Sequence, residues 1–122
     1  MSNYKILIVE DDLTNMFVLK KILAKDHRIS TASNSAEALK LAQKIAFEVV
    51  LMDINLGRGS LDGVQVMQEM KKMPNQQRTY FVAVTSFANV EDKARFLKAG
   101  FDHYIPKPYM REDILSAIQQ AH

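Results

Sequence analysis

Five short runs rich in β-branched and aromatic residues alternate with stretches of helical spacing, and this alternation restricts the fold more than any other feature of the 122-residue sequence. The runs are YKILIV (4–9), RISTA (28–32), EVVLM (48–52), YFVAV (80–84) and DHYI (102–105). Several are nearly continuous in apolar residues, as parallel strands covered on both faces require. Between them lie i, i+3, i+4 stripes: Met16, Leu19, Ile22 and Leu23; Ala38, Leu39, Ala42 and Ile45; Met67, Met70 and Met73; Val90, Ala94 and Leu97; Ile114, Leu115, Ile118 and Ala121. Each stripe predicts a helix with one face on a core. Asp12, Ser35, Asp62 and Asn89 stand at N-cap positions, and Gly100 stands where a helix ends on a left-handed residue. Strict β-then-α alternation predicts a parallel sheet with helices on both faces.

No internal repeat, low-complexity stretch or linker interrupts the pattern, so a single domain is expected over residues 1–122. The absence of cysteine excludes disulfides, thiolate metal sites and cysteine nucleophiles. His27, His103 and His122 are scattered without metal-ligand spacing. A net charge of +2, with lysines spread along the chain, gives no nucleic-acid footprint. The sequence has no apolar run of spanning length and its start, MSNYKILIVEDD, lacks the plan of a signal peptide, so no membrane partner and a cytoplasmic location are expected.

In an open α/β sheet, function collects where the carboxyl ends of the strands meet the point of reversed strand order. The first run delivers Glu10, Asp11 and Asp12 to that edge, the third Asp53, the fourth Thr85 and Ser86, and the fifth Lys107. A flavodoxin-like (βα)5 doubly wound sheet in the order 2-1-3-4-5 makes strands one and three neighbours, so Glu10, Asp11 and Asp53 converge. Packed carboxylates repel one another and call for a counter-charge or raised pKa values. A hard divalent cation with oxygen ligands answers that need, and Lys107 adds a second positive charge. Such a kit suits a phosphoryl group, which a carboxylate can accept as a nucleophile. Neither a Walker loop nor G-x-G-x-x-G follows the first strand, which argues against nucleotide binding.

ILIVEDD, VVLMDI, LDG, VAVTS and YIPKP, in this order and across nearly the whole chain, resemble the response-regulator receiver domains of two-component signalling. The resemblance implies that Asp53 is the phosphoacceptor, with Mg²⁺ held by Glu10, Asp11, Asp53 and the backbone carbonyl of Asn55. It implies that Thr85 and Lys107 assist the transfer, that Thr85 and Tyr104 form the switch, and that the Lys107–Pro108 peptide is cis. The implied partners are a sensor histidine kinase or histidine phosphotransfer protein, and a downstream protein on the face of the fourth helix, fifth strand and fifth helix. The only chemistry implied is the chain's own aspartyl phosphorylation and dephosphorylation.

Two features depart from the family pattern. INLGRGSL separates Asp53 from Asp62, bringing Gly57 and Gly59 where the family has a shorter, proline-bearing loop. Pro106 directly precedes Lys107 and removes a backbone donor, so the fifth strand is expected to end at Ile105. Asn55 and Phe87 occupy positions where the family tunes phosphoryl lifetime. Two other functions fit parts of the pattern: a phosphorylation-independent interaction module of the same fold, and a phosphatase of the haloacid-dehalogenase type. The full polar set argues against the first. Against the second stands Asn55, where those enzymes carry an aspartate as general acid.

Overall fold

The computed structural model describes residues 3–54, 62–86 and 90–121. Five strands, β1 (Lys5–Val9), β2 (Arg28–Ala32), β3 (Val49–Asp53), β4 (Tyr80–Thr85) and β5 (His103–Pro106), form one sheet. Every pairing is parallel and the order is β2-β1-β3-β4-β5, as expected. The helices are α1 (Leu13–Leu23), α2 (Ser35–Lys44), α3 (Gly63–Lys71), α4 (Val90–Ala99) and α5 (Arg111–Gln120), with a 3₁₀ turn at Pro74–Gln76.

Alternation along the central strands divides the core in two. Leu7, Val9, Val50, Met52, Phe81 and Ala83 face α2, α3 and α4. Ile6, Ile8, Val49, Leu51, Val82 and Val84 face α1 and α5. Every residue of β3 is buried, which places this strand at the centre and leaves its carboxyl end with one outlet.

Helix termini follow the chemistry of their caps. The Asp12 carboxylate accepts from the Asn15 amide at 3.0 Å. Asp62 and Gln65 form a reciprocal capping box at α3. At α2 the cap is Asn34, not Ser35: Asn34 Oδ1 accepts from the Glu37 amide at 2.9 Å, and Ser35 is already helical. Glu37 reaches back to the Ser33 amide at 2.7 Å, which fixes the helix start one residue earlier. Gly100 ends α4 with φ 131°, and the Phe101 amide donates to Phe96 O at 3.2 Å across that turn. The Asn89 expectation lies outside the described residues.

Two other expectations change. Val90, Ala94 and Leu97 do not face the core; Val90 is 82% exposed, and Phe96 is the buried residue of α4. One aromatic side chain buries more area than the Val-Ala-Leu stripe and sets the rotation of this short helix. Strand β5 runs through Pro106, one residue beyond Ile105, because the Lys107 amide supplies a donor to Thr85 O at 2.7 Å.

At the opposite edge of the sheet, the buried side chain of Gln76 ties the end of α2 to the segments that lead into β3 and β4. Its Nε2 donates to the carbonyls of Ala42 and Ile45, and its Oε1 accepts from the Phe47 amide at 3.2 Å and the Thr79 hydroxyl at 2.8 Å. Truncation strands several buried polar groups at once. Gln76→Ala is therefore expected to lower unfolding free energy by about 2–3 kcal/mol in urea denaturation, with an unchanged m-value. A loss below about 0.5 kcal/mol would mean that water replaces the network at little cost.

Candidate phosphoryl and metal site

Strand register builds the site. Val9 pairs with Met52, so the next residues on β1 and β3, Glu10 and Asp53, emerge side by side. Asp53 pairs with Val84 on β4, and Thr85 pairs with Pro106 on β5, which sets Lys107 just beyond. Apolar strand interiors thereby carry two acids, a hydroxyl and an amine to one edge. Glu10 is 2% exposed, Asp53 7% and Thr85 1%, while Asp11 faces solvent.

Carboxylate oxygens of Glu10, Asp11 and Asp53 lie within 4.8 Å of one another. The Lys107 ammonium sits 3.2 Å from Glu10 Oε1 and 3.6 Å from Asp53 Oδ1. The Asp12 amide donates to Glu10 Oε2 at 3.2 Å, so the residue that caps α1 also steadies the acid beside it. Burial, followed by the hydrogen bond and charge of Asp53, raises the Glu10 pKa from 4.5 to about 7, against the pull of the Asp12 amide and Lys107. Burial works to lower the Lys107 pKa, but the Asp53 and Glu10 carboxylates outweigh it and hold the amine above its ordinary value. One ammonium beside two buried acids and a third exposed one leaves an excess of negative charge. Closely spaced oxygen ligands with that excess fit a hard divalent cation.

All the expected site residues among the described ones reach this edge except Tyr104, which lies one layer away. Tyr104 is half-buried on the α4 side, its ring stacked on Phe96 with centroids 6.1 Å apart at 23°. The Lys107–Pro108 peptide is cis. Asn55, Phe87 and the glycines of the 55–61 stretch lie outside the described residues. Tyr109 was not singled out from the sequence, yet it packs into the α1 and α5 core. Burial raises its phenol pKa, with Glu10 adding to the rise and Lys107 opposing it. Its position two residues past Lys107 is the only signal the sequence offered.

Fold and site together define a phosphoryl-handling α/β domain, and comparison with known proteins gives the family. The chain belongs to the response regulator receiver domain family, whose model matches residues 6–119. It is 29% identical over 120 residues to the transcriptional regulatory protein PrrA of Mycobacterium leprae, covering 98% of this chain and 50% of that one. It is 27% identical over 108 residues to the signal transduction histidine-protein kinase BarA of Escherichia coli, covering 88% of this chain and 12% of the kinase. The chain thus spans half of one relative and a small part of the other. Among solved structures, a CheY-like response regulator receiver domain protein from Methanospirillum hungatei superposes with a TM-score of 0.85 at 29% identity, covering 98% of this chain and 93% of that one. The receiver domain of a Pseudomonas aeruginosa sensor histidine kinase, with a magnesium ion coordinated in its active site cleft, gives 0.86 at 28% identity, covering 98% and 97%. Neither the interaction-module nor the phosphatase reading gains support from these likenesses. Among the described residues, no helix is long and apolar enough to cross a membrane.

The raised Glu10 pKa carries a stability consequence with a definite sign. A folded-state value above the unfolded one stabilises the protein fully below the unfolded pKa, and that contribution is lost as pH rises through the folded pKa. The metal-free protein is therefore expected to lose stability between about pH 5 and pH 8, by on the order of 3 kcal/mol from this group. Denaturant unfolding in EDTA reads the change, and Glu10→Gln should flatten it. Lys107 contributes no slope in this window, because its raised pKa acts only at alkaline pH.

Proposed function

We propose that Asp53 accepts a phosphoryl group from a phosphohistidine on a sensor kinase or phosphotransfer protein, with Mg²⁺ as cofactor, and that the acyl phosphate switches partner binding. The observation that carries this reading is the buried Asp53 carboxylate at the end of β3, with Glu10 and Asp11 oxygens within 4.8 Å and the Lys107 ammonium at 3.6 Å. In the transfer, an Asp53 carboxylate oxygen forms a bond to phosphorus as the phosphorus–nitrogen bond to the donor imidazole breaks, and the imidazole nitrogen keeps the electron pair. Glu10, Asp11 and Asp53 are the side chains that would hold the metal, with the Asn55 carbonyl as a further oxygen. Bound Mg²⁺ neutralises charge on the transferring phosphoryl oxygens. Lys107, already poised between Glu10 and Asp53, offers its ammonium to one such oxygen, and the Thr85 hydroxyl can donate to another. Hydrolysis of the acyl phosphate by water resets the site, and the chain has no other catalytic role.

The switch couples two neighbouring strands. Thr85 ends β4 and Tyr104 lies within β5, paired with Ala83 and two register steps from the Thr85–Pro106 pair. A Thr85 drawn toward the phosphoryl vacates space on the α4 side, where Tyr104 rests on Phe96. Phosphorylation has to favour the active arrangement by a few kcal/mol to move most of the population. The α4, β5 and α5 face is the surface that reports this change to a downstream protein. A cytoplasmic location fits a partner kinase with a cytoplasmic histidine domain.

Asp53→Asn is expected to abolish hydroxylamine-sensitive labelling by acetyl phosphate, and EDTA should abolish it in the unaltered protein. Labelling that persists in the variant would move the acceptor to another residue. Mg²⁺ affinity, followed by tyrosine fluorescence or NMR, is expected to strengthen as pH rises through about 7, because the metal needs Glu10 ionised. Beryllofluoride should shift Tyr104 resonances only when Mg²⁺ is present. Silence of Tyr104 under those conditions would favour a module that interacts without phosphorylation.

A further inference from the structure

The stretch between Asp53 and Asp62 departs most from the family pattern, yet Asp53 sits at the same edge as its partners, and the neck of that stretch accounts for it. Gly63, the first residue of α3, donates its amide to Ile54 O at 3.0 Å. It is buried, and it lies so close to β3 that a Cβ would fall inside contact distance of the Asp53 carbonyl oxygen and 2.9 Å from both Ile54 Cα and Met52 Cγ. Two of those three neighbours are backbone, which cannot swing away as a side-chain terminus can. Next to this contact, the Asp62–Gln65 capping box fixes the first turn of α3.

We infer that Gly63 is a positioning residue for the phosphoacceptor: α3 seats directly on the Asp53–Ile54 main chain and aims the Asp53 carboxylate, whatever the length of the chain between residues 54 and 62. The inference rests on the acceptor role of Asp53. No conformational privilege of glycine enters here, since Gly63 has an ordinary negative φ; the requirement is the missing side chain. Misaiming an acceptor by a fraction of an ångström slows a reaction that depends on in-line approach.

Gly63→Ala is expected to slow acetyl phosphate labelling at saturating Mg²⁺ by on the order of tenfold or more, well below its melting temperature. Gln76→Ala, at the far edge of the sheet, serves as the destabilised control and should label at the unaltered rate. Should Gly63→Ala fail to fold, Asp62→Ala loosens the same seat by removing the cap without adding bulk. It should raise amide hydrogen exchange at Gly63 and slow labelling, while leaving the Gln76→Ala control unmatched in both readouts. Labelling at the unaltered rate in folded Gly63→Ala, or in Asp62→Ala with faster Gly63 exchange, would overturn the inference. Equal slowing in Gln76→Ala would do the same, by showing that lost stability alone is enough. If Asp53→Asn still labels, the acceptor assignment has failed and the positioning role falls with it, a result distinguishable from any of these.

Discussion

Two buried carboxylates, Glu10 and Asp53, are held side by side at one edge of the sheet, with one lysine to answer both. Like charges at this spacing cannot both stay ionised at low cost, so the site stores a demand for positive charge. Parallel register between β1 and β3 enforces the arrangement, because the pairs Ile6 with Val49 through Val9 with Met52 leave Glu10 and Asp53 no alternative positions. The two apolar core faces make that register costly to slip: a shift by one residue would send every buried side chain of β3 to the wrong layer. Core packing and site electrostatics are therefore a single constraint seen from two ends of the same strands.

The helices around the sheet are not equally anchored. Four residues of α3, Gly63, Val66, Met67 and Met70, are buried, and its first turn sits on the acceptor strand. In α4 the buried residue is Phe96, which stacks on Tyr104 and lies edge-on to Phe101. An element held by few buried contacts opens at low free energy and is suited to move. On one and the same face of the sheet, α3, which fixes Asp53, is thus firmly seated, and α4, whose Phe96 meets Tyr104, is lightly seated. Such a division lets the site stay aimed while a neighbouring surface changes.

Much of this was legible in the sequence because long apolar runs and stripes carry strong periodicity. The alternation dictates a parallel sheet, and once its order is the flavodoxin-like 2-1-3-4-5 the strand ends bring Glu10, Asp11, Asp53, Thr85 and Lys107 together. The α4 face was misread because Val90, Ala94 and Leu97 keep helical spacing while a single Phe96 outweighs them in buried area. The α2 cap shifted by one residue because Asn34 and Ser35 are both good caps, and only the reach of Glu37 to Ser33 decides between them. Pro106 gave a true local signal, but Lys107 supplies the donor that the proline lacks. The seat of Gly63 on Asp53 has no sequence signal beyond the glycine itself, since closeness of two backbones is a tertiary fact.

Carboxyl-carbon NMR titration of Glu10 and Asp53 in the metal-free protein tests the coupling of these groups most directly. Glu10 is predicted to titrate near 7, well above its ordinary 4.5, and to move down when Asp53 is replaced by asparagine. Added Mg²⁺ should remove the elevated step altogether. Glu10 titrating near 4.5, indifferent to both Asp53→Asn and Mg²⁺, would contradict the account.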